Sequence, residues 1–169
     1  KYDSGTSIKD ATAGEVSILP RSDWMNASWS YRKKITFDNS AQAENLTDFP
    51  VQVKLTTSNT DYSKIKAAGA DIRFADSNGT TSLSYEIESW NASGDSFVWV
   101  KVPQIDASSS TDSIYMYYGN SGASDAQDAA NTWNTNYAMV QHLEETAACA
   151  TTFTDSTSND NDGSCNNTP

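Results

Sequence analysis

The chain has 169 residues with 37% apolar and 11% aromatic content, enough for one globular domain around one core and too much for wholesale disorder. Its formal net charge of −11 argues against nucleic acid and anionic membrane surfaces, whose phosphates call for Lys and Arg. No run of about 18 apolar residues occurs, so no membrane insertion is expected.

The chain opens at Lys1 rather than Met, which suggests a processed or trimmed product. Residues 1–28 read as a polar N-terminal extension with a single strand pattern: Glu15, Val16, Ser17, Ile18 and Leu19, stopped by Pro20. Tyr31 to Phe37 then places Tyr31, Ile35 and Phe37 on one strand face, with Lys33 as the exception. In the next strand Val51, Val53 and Leu55 alternate cleanly behind Pro50, which is tolerated at a strand's first position. Asp61 is a good N-cap for a brief helical turn that Gly69 can end in the left-handed region.

Further strands are expected over 71–74, 83–90, 97–102 and 114–118, separated by turn residues such as Asn78-Gly79. Leu83, Tyr85 and Ile87 share one face of the second of these, Glu86 and Glu88 the other. The third is apolar on both faces and reads as a central strand. A short helix over 125–133 and a last strand over 137–143 complete the pattern. Short strands at this spacing, without long amphipathic helices, indicate an all-β fold: an antiparallel β-sandwich, jelly-roll-like, occupying 29–143. A C-terminal tail follows over 144–169.

Cys149 and Cys165 lie close together in that tail. Joined, they close a loop of roughly 15 residues, worth about 3 kcal/mol in the chain-entropy account. Free or metal-bound thiols are the alternative, but His142 is the only histidine, so the ligands for a zinc site are missing. The disulfide reading clips the tail and implies an oxidising compartment. Asn26, Asn45, Asn78, Asn91 and Asn166 all stand in N-x-[ST] sequons, consistent with a glycoprotein.

Several motifs in fixed order carry a resemblance. Trp29-Ser-Tyr-Arg-Lys-Lys-Ile-Thr-Phe-Asp-Asn39, Asp48-Phe-Pro-Val51, Gly69-Ala-Asp-Ile-Arg-Phe74 and Tyr85-Glu-Ile-Glu-Ser-Trp-Asn91 are followed by Val98-Trp-Val-Lys-Val-Pro103 and Ile114-Tyr-Met-Tyr-Tyr-Gly-Asn120. Together, over roughly 29–143, they resemble the domain of unknown function family numbered 2341. That family occurs in secreted and surface proteins of bacteria and archaea, often before a concanavalin-A-like, laminin-G-type lectin domain. The resemblance implies an extracellular β-sandwich and brings no catalytic residue with it. His142-Leu-Glu144 and the run from Asp155 to Gly163 look like the opening of the adjoining lectin domain, which would stop at Pro169 almost as it starts.

Candidate chemistry is sparse. No G-x-S-x-G elbow or HExxH pattern is present. Glu86 and Glu88 have the spacing of a glycosidase carboxylate pair; a solvent-exposed polar face is the favoured reading, as a structural one is for His142. Asp155, Asp160 and Asp162, with neighbouring Asn residues, offer oxygen ligands for calcium, although EF-hand spacing is not met. Asp71, Asp76 and Asn78 form a weaker cluster. Trp24, Trp90 and Trp133 are candidate glycan contacts if exposed, because sugar rings pack on indole faces.

The expectation is therefore a non-enzymatic structural protein of the cell surface with no cofactor, calcium being the one candidate against the favoured reading of an ordinary acidic loop. It would assemble with copies of itself into a head-to-tail filament by exchange of a terminal segment, residues 15–19 being the candidate strand and the C-terminal tail fitting equally well; the plainer alternative is that the arm lies along its own sheet. A polysaccharide-binding adhesion module is the alternative.

Overall fold

The computed structural model describes residues 23–143 and 152–164, together with the backbone of 8–9 and 17–18. Two antiparallel sheets face each other. One has four strands in the order β3 (Tyr31–Thr36), β9 (Ser113–Tyr118), β5 (Arg73–Ala75), β6 (Ser82–Leu83). The other has three, in the order β4 (Leu46–Leu55), β8 (Ser96–Ile105), β7 (Tyr85–Ser89). The period-two pattern explains the core. Val98, Val100 and Val102 of β8 point inward against Ile114 and Met116 of β9 and Phe74 of β5, all essentially inaccessible. This is the all-β antiparallel sandwich that the spacing of the strands implied.

Four elements differ from their sequence patterns. The run expected as one strand over 83–90 divides at Ser84: β6 joins the first sheet and β7 the second, so the chain crosses the sandwich there. β4 begins at Leu46, which puts Pro50 inside the strand; it fits because β4 pairs only with β8 and is a sheet edge. The turn after Asp61 forms two short 3-10 segments, Tyr62–Lys64 and Ala67–Gly69, the first capped by Asp61 and the second ending at Gly69 with φ +72°. No strand forms over 137–143. There the backbone bonds to loop groups instead of a ladder: Val140 donates to the Asp155 carboxylate at 2.9 Å, and its carbonyl accepts from the Ser156 N–H at 2.8 Å.

Segments of the chain cover part of each outer face of the sandwich. Trp24 and Trp29 pack with Tyr117 and Ala75 over the first sheet, and Arg32 lies between the rings of Trp24 and Tyr115, at 4.9 and 4.4 Å from their centroids. A C-terminal layer containing α1 (Ala129–Thr132), Trp133 and His142 lies on the second sheet. It ends in a small ribbon of β10 (Thr152–Phe153) and β11 (Gly163–Ser164). Asp71, buried on the first sheet's side, ties two turns together by accepting from the N–H groups of Lys66, Gly119 and Asn120 at 2.6, 3.0 and 3.1 Å. At the N-terminus β1 (Ile8–Lys9) and β2 (Ser17–Ile18) pair with each other as a separate two-stranded sheet, joined to neither sheet of the sandwich.

Candidate functional site

The densest polar arrangement among the described residues lies between the outer face of the second sheet and the C-terminal layer. Strand register puts Gln52, Trp99 and Glu86 in one row across β4, β8 and β7. Glu88 stands two residues on, where the β7–β8 register shifts. Its Oε2 accepts from Trp99 Nε1 at 2.7 Å and from Gln52 Nε2 at 3.1 Å. Among the described residues Glu86 accepts from the covering layer: Trp133 Nε1 at 2.8 Å and Ser156 Oγ at 2.6 Å, with His142 Nε2 3.3 Å away. His142 Nδ1 is 4.0 Å from Glu88, so the imidazole bridges the two carboxylates. The rings of Trp99 and Trp133 meet at 5.1 Å, and Tyr137 packs edge-on against Trp133 at 5.2 Å.

The electrostatics follow from this packing. Burial works against a charge on Glu86, whose side chain is only 12% exposed, but His142, Ser156 and Trp133 together outweigh it and hold the carboxyl below its ordinary value. The solvent-exposed polar face expected for Glu86 and Glu88 is not what forms. A segment some fifty residues later in the chain covers them, and their oxygens are engaged by indole, hydroxyl and imidazole groups. Chemically, the pair acts as a clamp that holds the C-terminal layer on the sheet.

Two of the three tryptophans considered for glycan contact are enclosed. Trp24 is 4% exposed, edge-on to Tyr117, and Trp133 is 7% exposed inside the clamp. Both carry apolar ring area that nearby aromatic partners bury, so neither offers a face to a sugar. Trp90 is half-buried against Tyr62.

The acidic run of the tail is also engaged internally. Asp155 accepts from the N–H groups of Val140, Thr157 and Asn161 and from the Thr157 hydroxyl, all within 3.0 Å, and Asp162 accepts from the Asp155 N–H. Burial opposes the Asp155 charge, yet these donors bring its pKa down to about 2. Asn159 and Asn161 donate to the carbonyls of Tyr137 and Ala138. Asp160 is exposed. Asp155 and one Asp162 oxygen are thus taken up by hydrogen bonds, and no group of three or more His, Cys, Asp or Glu converges on an ion site among the described residues. In the weaker cluster, Asp71 is the buried turn anchor.

Four sequons are described. Asn26, Asn45, Asn78 and Asn91 are all exposed on loops. Asn26, Asn78 and Asn91 accept the N–H of the hydroxyl residue two positions on, whereas Asn45 reaches across to Ala107. Asn166, Cys149 and Cys165 lie outside the described residues, as do Glu15, Val16 and Leu19 of the proposed exchange strand. Ser17 and Ile18 form β2.

A family model for domain of unknown function DUF2341 matches residues 68–162, more than half of the chain. The chain belongs to this family. No curated protein and no solved structure matches it. The DUF2341 match takes in Glu86, Glu88, Trp99, Trp133, His142 and Ser156, so the whole clamp apart from Gln52 falls within it. It also runs on to Asp162, through most of the segment that the sequence motifs set apart as a tail.

Outside the match, this DUF2341 chain leaves one side of its sandwich open. β3 and β4 are edge strands of opposite sheets, and a cleft of about 270 Å3 lies between them. Ile35, Phe37, Val51, Val53 and Leu55 line it, with Lys33, Lys34 and Lys54 at its margins. Lys33 stands on the inward row of β3, which explains the break in that strand's pattern. Burial lowers its pKa, and its ammonium donates to the Asn59 carbonyl. Sequence reasoning did not find this cleft. The only signal was the Lys interrupting an apolar face.

Proposed function

We propose that this chain is a non-enzymatic extracellular structural subunit that assembles with copies of itself by exchanging a terminal strand, as in a cell-surface filament. The observation that carries the reading is the N-terminal ribbon of β1 and β2, a two-stranded sheet bonded to neither sheet of the sandwich. A two-stranded ribbon is marginal in water and gains stability when a further strand or sheet joins it. Main-chain pairing with a neighbour takes place at strand edges, and β3 and β4 are edge strands of the two sheets. The acidic surface, at net −11, keeps non-specific association low while leaving directional pairing available.

Electron microscopy and sedimentation of the full chain and of a variant lacking residues 1–20 test the reading. Polymers from the full chain, lost in the shortened one, are expected. Uniform monomers from both would end it.

A second reading, a polysaccharide-binding adhesion module, draws support from an open hollow of about 510 Å3 lined by Thr57, Ser58, Asn59, Thr60, Asp61 and Tyr62. Hydroxyls and amides beside an aromatic ring suit a sugar. Binding on a glycan array that Asp61→Ala weakens is the expected result under that reading; an array without signal at high protein concentration counts against it.

A further inference from the structure

We infer that the cleft between β3 and β4 is a binding site for a small apolar carboxylate, a short acyl acid whose chain lies between the sheets and whose head meets Lys33. The inference does not depend on the strand-exchange reading. β3 and β4 belong to different sheets and do not pair, so the two layers part along this side. Val53 and Leu55 form a buried floor, and Ile35, Phe37 and Val51 are half-buried where the layers separate. The cleft's volume of about 270 Å3 lies just below the roughly 300–1,000 Å3 usual for small-molecule pockets, so a short chain suits it better than a drug-sized molecule.

The charge of Lys33 decides which ligand suits these walls. Lys33 shares the inward row of β3 with Ile35 and stands opposite the buried Met116 of β9, so its ammonium is delivered to the cleft rather than to the outer face. There it donates to the backbone carbonyl of Asn59, which also lines the cleft. An ammonium has three donors, so two are left over. No carboxylate lies within ion-pair distance of Lys33 among the described residues, although the chain has 22 acidic residues to 11 basic ones. Burial pulls its pKa down, and no neighbouring acid offsets that. A partly desolvated cation beside an apolar floor lacks a counter-charge, and an apolar carboxylate supplies both the chain and the charge. A neutral ligand leaves the ammonium as it was. An inward lysine also blunts an edge strand against pairing, which needs no ligand, and the experiment separates the two roles.

The test is calorimetric titration of the full chain with hexanoate, octanoate and octanol, with methyl NMR to place the ligand. Octanoate should bind more tightly than hexanoate, by up to about fourfold per methylene. It should also bind at least about tenfold more tightly than octanol, the worth of a charge-assisted hydrogen bond. Methyl shifts should fall on Ile35, Val51, Val53 and Leu55 and spare Val140 in the C-terminal layer. Lys33→Met keeps an apolar stem and drops the charge, so it should erase the advantage of octanoate over octanol while octanol still binds. Lys64→Met removes the same charge from an exposed turn outside the cleft and should leave octanoate binding unchanged. An octanoate preference that survives Lys33→Met, a preference lost equally in Lys64→Met, or shifts away from the four cleft residues overturns the site. So does a full chain that takes up no octanoate at millimolar concentration; if Lys33→Met then self-associates, the lysine is an edge guard alone.

Discussion

Glu86→Ala removes the acceptor for two donors that the fold buries, Trp133 Nε1 and Ser156 Oγ, and leaves His142 without the carboxylate 3.3 Å from it. A buried donor left unsatisfied costs about 1–3 kcal/mol. Two such donors give a loss of about 2–6 kcal/mol, a large fraction of the 5–15 kcal/mol typical of a whole domain. Glu86→Gln keeps the shape and one acceptor oxygen, so its loss should be smaller. Urea unfolding followed by tryptophan fluorescence reads the event directly, because Trp99 and Trp133 touch at the clamp. The acid limb supplies a second readout. The folded pKa of Glu86 lies below its ordinary 4.5, so its stabilisation is present above the unfolded value and is lost as pH falls through the folded one. The wild type should therefore lose more stability than Glu86→Gln on acidification below about 4.5. If Glu86→Ala stays within about 0.5 kcal/mol of wild type at pH 7, or the acid limbs of wild type and Glu86→Gln coincide, the carboxylate does not hold the C-terminal layer.

Asp71→Ala leaves three N–H groups without their acceptor in a fully buried site, and a loss of about 3–5 kcal/mol in chemical denaturation is expected. For Asp155, whose pKa falls from 3.8 to about 2, the stabilising contribution is full above the unfolded value and is lost as pH drops toward 2; Asp155→Asn should flatten that window in hydrogen exchange at the Thr157 and Asn161 amides. Thermal melts with added calcium and with chelator should superimpose, since a ligand bound only by the folded state must raise the melting temperature; a shift of several degrees would restore the ion site. Intact mass under non-reducing conditions should be two daltons below the fully reduced mass if Cys149 and Cys165 are joined.

What the sequence made legible were the local features. The alternation in 51–55 and 97–102 located two strands of one sheet, and the two-faced apolarity of β8 correctly implied a central strand. The same pattern could not say why its outer face is apolar. Trp99 is covered by Trp133, and that pairing depends on where the chain returns after residue 120. Glu86 and Glu88 alternated as a solvated face would, and only the later segment buries Glu86, while Glu88 stays 31% exposed. The residues of 137–143 looked like a strand because they are largely apolar, yet Met139 and Leu143 are exposed and the backbone bonds go to Asp155 and Ser156. The strand pattern over 83–90 was sound in each half, but side-chain period alone carries no information on which sheet a strand joins.

The acidic tail shows how one composition serves two physical ends. Asp, Asn, Ser and Thr in close succession offer oxygens to a cation, and they also offer a backbone the donors and acceptors to knot itself. Which happens is decided by where the free N–H groups are. Around Asp155 there are three of them and a hydroxyl, all within 3.0 Å, so the carboxylate is satisfied before any ion arrives. The knot then presents Ser156 to Glu86 at 2.6 Å, and the asparagines bind the carbonyls of Tyr137 and Ala138, which fixes the layer carrying Trp133 and His142. Loop and clamp are therefore one mechanical unit. Loosening Asp155 should expose Glu86 to solvent as surely as cutting Glu86's own bonds, and a double variant should cost less than the sum of its single losses.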